Sequence, residues 1–196
     1  ATLSLAGANT YTGGTSIVEG TLQGTTTSLQ GDIVNSGSSL IFNQGIDGTY
    51  AGVISGSGSL TKSGTGRADF TGVNLYTGAT SVAAGTLGLA GSGSIASSSD
   101  VTVDSGATLD IASTTAGASV QNLSGLGSVV LGSQALSLVQ SSLGTYEGVI
   151  SGAGSLLKAG SARLDLTAAQ TYLGATSVTG GTLGLAGSGS IASSSA

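Results

Sequence analysis

Asp100, Asp104 and Asp110 form the one acidic cluster of this chain, and clustered carboxylates are the groups here that could do chemistry. Two carboxylates flanking a glycosidic bond cleave it, one as acid and the other as base or nucleophile. Three together could begin the shell of six to eight oxygens that Ca²⁺ takes. The spacing favours neither. Asp104 directly follows Val103, where a strand pattern gives way to the turn Ser105-Gly106, and no basic residue stands nearby in sequence to hold an acidic sugar. The glycine-aspartate nonapeptide of calcium-binding rolls is also missing. Solvated turn carboxylates are the expectation.

Other chemistries fail on composition. With no His and no Cys, neither a Ser-His nor a Cys-His nucleophile pair can be assembled. The many serines sit in turn-like stretches. The chain is therefore expected not to be an enzyme: no catalytic, cofactor-binding or metal-ligating residue is assigned and no cofactor is implied. Lys62, Arg67 and Asp69 recur as Lys158, Arg163 and Asp165 because a whole block is duplicated, and Arg67 with Asp69 reads as a surface ion pair worth about 0–1 kcal/mol. Tyr11, Tyr76 and Tyr172 fall at matching places, as do Tyr50 and Tyr146. Exposed, they would suit glycan binding; packing against a neighbouring turn is the preferred reading. Threonines such as Thr25-Thr26-Thr27 and Thr102 are too scattered for an ice-binding face.

The elements that carry these residues are short. Gly makes up 36 of 196 residues, with no Pro and no Trp, and the apolar content comes from Ala, Leu, Val and Ile. Regularly spaced aliphatic residues distinguish the chain from a flexible linker. Four basic against nine acidic residues give a net charge of −5 and no basic patch for phosphates, so nucleic acid is not an expected partner. With no Cys, thiol usage places the chain in no compartment. No apolar run reaches membrane-spanning length, and no signal peptide is read at the start.

Repeats decide the architecture. Residues 49–100 set over 145–196 differ at 16 of 52 positions, an offset of 96. The first copy continues into Asp100-Val101-Thr102-Val103 where the second stops, so the expectation is one β-solenoid segment, 1–196, from a longer repeat protein. A weaker copy aligns Asn9-Thr10-Tyr11-Thr12-Gly13 with Asn74-Leu75-Tyr76-Thr77-Gly78, an offset of 65. Division by whole coils yields a unit of about 22–24 residues, within the solenoid range.

Inside a unit, apolar residues alternate as in Thr86-Leu87-Gly88-Leu89, the period of a strand with one buried face. Ser-Gly punctuation turns the chain every few residues. Leu87, Leu89, Ile95, Val101, Val103, Leu109 and Ile111 are expected to point inward, with Thr86, Thr102 and Thr108 facing solvent. The fold is all-β, a stack of roughly eight or nine parallel coils forming a rod about 40 Å long.

Gly52-Val53-Ile54-Ser55-Gly56-Ser57-Gly58-Ser59-Leu60-Thr61-Lys62, then Asn74 to Val82, then Gly85-Thr86-Leu87, resemble the passenger-associated transport repeat of bacterial autotransporters. The pattern recurs at 148–158 and 172–183, and the opening Leu3 to Thr15 matches it too. In the last copy Gln170 stands where Asn74 stands in the first. The resemblance implies a right-handed parallel β-helix on the bacterial surface, anchored to the outer membrane through a C-terminal barrel or secreted. It implies a stalk or passenger role in adhesion, self-association or biofilm formation. Implied partners are the chain itself, laterally or end to end, or a host receptor, cell-surface receptor or glycan. Two alternatives stay open: a polysaccharide-binding or polysaccharide-cleaving β-helix, and a segment that mainly aids passenger folding and secretion.

Overall fold

Turn chemistry sets the scale of every element. Val101-Thr102-Val103 runs into Asp104-Ser105-Gly106, where Gly106 takes φ +80°, a left-handed value open to glycine at little cost. The chain changes direction, and the next strand, Thr108–Thr114, lies in a different sheet. Repeated along residues 1–195, which the computed structural model describes, this produces a β-solenoid of about nine coils in which every strand pairing is parallel.

Each coil visits three faces in a fixed order. Face I is one ten-stranded sheet from Thr2–Ser4 through Ser59–Ser63, Thr80–Val82, Val101–Val103 and Arg163–Leu166 to Thr182–Leu185. Face II is a seven-stranded sheet that includes Gly48–Tyr50, Arg67–Phe70, Thr86–Gly91, Thr108–Thr114, Val149–Gly152 and Thr171–Tyr172. Face III is interrupted. A three-stranded sheet ending at Ile54–Ser55 gives way to the single bridge Val73–Ser94, and a four-stranded sheet resumes at Ala118–Gln121 and ends at Thr176–Val178.

The core follows from alternation. Leu22, Leu40, Leu60, Thr80, Val101 and Leu123 are register partners on face I, all buried, so one inward column, aliphatic but for Thr80, runs along the axis. All seven residues expected to point inward are buried, and Thr86, Thr102 and Thr108 are half-exposed on the outer side. In the first copy Phe42 meets Tyr50 and Phe70 edge-on with ring centres 5.0 Å apart, a preferred aromatic geometry. In the second copy the matching residues are Leu138, Tyr146 and Leu166, so one block tolerates aromatic or aliphatic filling.

The coil is shorter than the offsets suggest. Register partners on face I lie between 18 residues apart, as Leu22 and Leu40, and 22, as Val101 and Leu123. The reason is rotational. Tyr50 lies on face II, whereas its duplicate Tyr146 lies on face I; likewise Ser59–Ser63 is on face I and Leu156–Ala159 on face III. Counted face by face, the 96-residue offset is fourteen steps, or four and two-thirds coils, and the 65-residue offset is ten steps, or three and one-third. Successive repeats are therefore turned by a third of a revolution relative to one another. The blocks around Tyr11 and Tyr172, eight coils apart, come back into phase.

Candidate functional site

The three aspartates do not meet. Asp100 and Asp104 are exposed at opposite ends of Val101–Val103 on face I, while Asp110 sits within Thr108–Thr114 on face II. No group of three or more His, Cys, Asp or Glu side chains among the described residues has metal-binding geometry. One surface hollow, about 510 Å³, is lined by Glu19 with glycines, serines and Val18, and no second carboxylate lines it.

Asp110 belongs instead to a clamp. Arg67 on face II places Nε 2.7 Å from Asp69 Oδ1 and Nη1 2.6 Å from Asp110 Oδ2, two coils away. The intervening coil contributes Gly88, in register with both carboxylates. A side chain there would run into Asp69 and Arg67, so glycine is what lets the guanidinium lie across it. In the second copy Arg163 crosses Gly184 in the same manner and holds Asp165, whose carboxyl its hydrogen bond keeps below the usual range. The expected surface pair is thus a three-coil arrangement wherever a second carboxylate is supplied.

The residues that recur most faithfully turn inward. Lys62 is fully buried, and its Nζ donates to the carbonyls of Ser63 (2.9 Å), Gly64 (2.9 Å) and Ala84 (3.0 Å). Lys158 repeats this with Ala159, Gly160 and Gly180. Burial pulls both ammonium groups below the ordinary lysine value, opposed at Lys62 by the charge of Asp47. The placement was readable: in Leu60-Thr61-Lys62 the lysine is two residues from a buried leucine and shares its face. Each ammonium ties a turn of one coil to the next. Substituting Lys62→Met keeps the apolar stem and strips three carbonyls of a charge-assisted partner. Unfolding free energy should drop by about 2–3 kcal/mol, seen as a lower urea midpoint; an unshifted midpoint would mean that the cage contributes nothing.

Tyrosines and amides form a second internal set. Tyr76 hydroxyl meets Thr80 Oγ1 at 2.6 Å, Thr80 Oγ1 donates to Ser98 Oγ at 2.8 Å, and Ser98 Oγ contacts Gly78 O. Tyr172, Thr176, Ser194 and Gly174 O repeat the relay. Tyr50 and Tyr146 donate to Gly31 O and Gly127 O, so four of the five tyrosines are buried and no exposed aromatic ladder exists among them. Asn74 Oδ1 accepts from Ile54 N at 2.9 Å, and its Nδ2 donates to Gly72 O and Ser94 O. Gln170 does the same work: Oε1 accepts from Ile150 N at 2.7 Å, and Nε2 reaches Gly148 O and Ala168 O. The Asn-to-Gln change keeps the role, which is to bridge the backbones of adjoining coils.

Where the copies differ, a bond is lost. Gln44 Oε1 accepts from Thr26 N at 2.9 Å, but its duplicate Gln140 leaves Oε1 buried without a partner. Asn122 stands where Thr26 stands, in left-handed backbone at φ 46°, and sends its N–H to Val139 O instead. Asn122 Oδ1 in turn gathers the backbone N–H groups of Ser141 and Ser142. On the outside, Thr61, Ser81, Thr102 and Ser124 are register partners, a column of hydroxyls that linear spacing hid.

The passenger-associated-transport-repeat matches this chain at residues 1–23, 60–89 and 156–185. A stretch of 57 residues is 49% identical to the adhesin BmaC autotransporter of Brucella suis biovar 1 (strain 1330), covering 27% of this chain and 2% of that protein. The chain therefore spans only a small part of the length of that relative. No solved structure gives a significant match.

Proposed function

We propose that this β-solenoid, which matches the passenger-associated-transport-repeat over three stretches, is a non-catalytic extracellular stalk of a bacterial surface protein, supporting adhesion, self-association or biofilm formation. One observation carries the reading: the side chains the repeats keep, Lys62 and Lys158, Tyr76 and Tyr172, Asn74 and Gln170, are buried and spent on holding coil to coil. What reaches solvent is hydroxyl-rich and sparsely charged, and two carboxylates that the fold draws together, Asp69 and Asp110, share the Arg67 guanidinium. A quasi-one-dimensional stack gains length with each coil, which suits projection away from a cell and presents long repetitive sides to other copies. The adhesin name of the relative agrees with this use.

Protease shaving of intact source cells, followed by mass spectrometry of released peptides, tests it. Peptides from these repeats should appear before lysis, and the purified chain should cluster beads or cells that carry it. Peptides that appear only after lysis would remove the extracellular role.

A further inference from the structure

The irregularities of the rod gather at one place, the junction between the coil of residues 80–99 and the coil of residues 101–122. Face I pairs across it in full, Thr80–Val82 with Val101–Val103. Face II pairs with a register shift between Gly88 and Ala90. Face III has no ladder there. The Thr115 N–H reaches Gly91 O, and beyond it, among the described residues, no backbone hydrogen bond joins 116–122 to the preceding coil. A hollow of about 300 Å³ lies at the gap, bordered by Ser94, Ala96, Ala118 and Ser119. Two side-chain amides cross instead: Gln121 Nε2 donates to Ala96 O and Asn122 Nδ2 to Ser99 O, each at 2.9 Å.

We propose that this junction is a one-sided hinge: faces I and II stay paired as the strap, face III opens and closes, and Asn122 is the latch. Asn122 is the one non-glycine residue with positive φ among those described, and its side chain grips Ser99 behind and the Ser141 and Ser142 N–H groups ahead. Holding that pose turns its own N–H to Val139 O and leaves Gln140 Oε1 buried without a partner. The first copy shows the other arrangement, in which the Thr26 N–H serves Gln44 Oε1 at 2.9 Å. Two sets of hydrogen bonds are therefore open to one corner. The latched set ties the coils together at the expense of a buried acceptor; in the open set the Asn122 N–H satisfies Gln140 and its side chain lets go of Ser99. A hinge needs such an exchange between two discrete arrangements. The inference rests on contacts between coils alone and is independent of the stalk role.

The chain has no Cys, so paired cysteines can carry spin labels without background. Gln23→Cys with Ser124→Cys spans the junction on face I, and Val34→Cys with Ser137→Cys spans the same five coil steps on face III. Electron–electron distance measurements should give one narrow distance on face I and a second, longer population on face III. Asn122→Thr installs the residue of the first copy, which disfavours positive φ and has no amide to reach Ser99. It should raise the longer population about fivefold, the scale of one lost hydrogen bond, with face I unchanged. Gln121→Ala, which leaves Asn122 in place, should shift face III in the same direction. Equal widths on the two faces would overturn the proposal, as would variants that broaden both faces alike or leave the face III distances unmoved.

Discussion

Above about pH 10 the folded chain should lose stability faster than any single tyrosine can explain, and unfold cooperatively as its phenols ionise. Burial raises the Tyr50, Tyr76, Tyr146 and Tyr172 hydroxyls above the ordinary phenol value; the charge of Asp32 adds to this at Tyr50, and the hydrogen bond to Thr80 offsets it in part at Tyr76. A group whose folded value is raised keeps its full contribution below the unfolded value of about 10 and loses it as pH climbs toward the folded value. Each phenol then costs about 1.4 kcal/mol per pH unit, so four acting together cost on the order of 5.

Lys62 and Lys158 work the other way. Their folded values are lowered, so their contribution to stability grows as pH rises from the folded value to about 10.5 and is level beyond it. The descent should therefore steepen past 10.5. Tyrosinate absorbance and far-ultraviolet circular dichroism followed together from pH 8 to 12 check this: the two should change in one transition that releases about four protons. Smooth ionisation with the strand signal intact would show that the hydroxyls reach solvent without unfolding.

The second large effect concerns spacing between coils. Gly148 faces the carbonyl oxygen of Gly127, which also accepts the Tyr146 hydroxyl at 2.7 Å. A methyl group there would overlap that oxygen, and both sides of the contact are backbone or tied to it, so nothing flexible can yield. Gly148→Ala should cost about 3 kcal/mol, a fall in Tm of about 6–12 °C for a chain of this size, with exchange protection lost first around residues 127–150. Gly45→Ala is the control. Nothing lies within 4 Å of a methyl there, and a shift within about 0.5 kcal/mol is expected. Equal effects at the two sites would mean that inter-coil clearance is not what Gly148 supplies.

Much of the fold was legible because period-two alternation is a local signal. Leu87, Leu89, Val101 and Val103 could be assigned inward from their immediate neighbours. Coil length was not legible, because dividing 65 and 96 by whole numbers assumes that a repeat returns to its starting face. On a three-faced coil it need not, and here it does not. The same limit hid the contacts between coils. Asp110 looks like a neighbour of Asp104 in sequence, but its partner is Arg67, two coils and 43 residues away. Sequence alone offers no reason for an amide at position 170; its partner, the Ile150 N–H, lies twenty residues away on the neighbouring coil.

The one-third rotation has a genetic corollary. In any chain assembled from this 96-residue block, unequal recombination that drops or adds one block leaves the local junctions much alike, since like sequence meets like sequence. Four and two-thirds coils are gained or lost, about 22 Å of reach at the usual strand spacing. Everything distal also swings 120° in azimuth, so copy number acts as a dial on heading as well as a ruler of length, and only multiples of three blocks restore the original bearing.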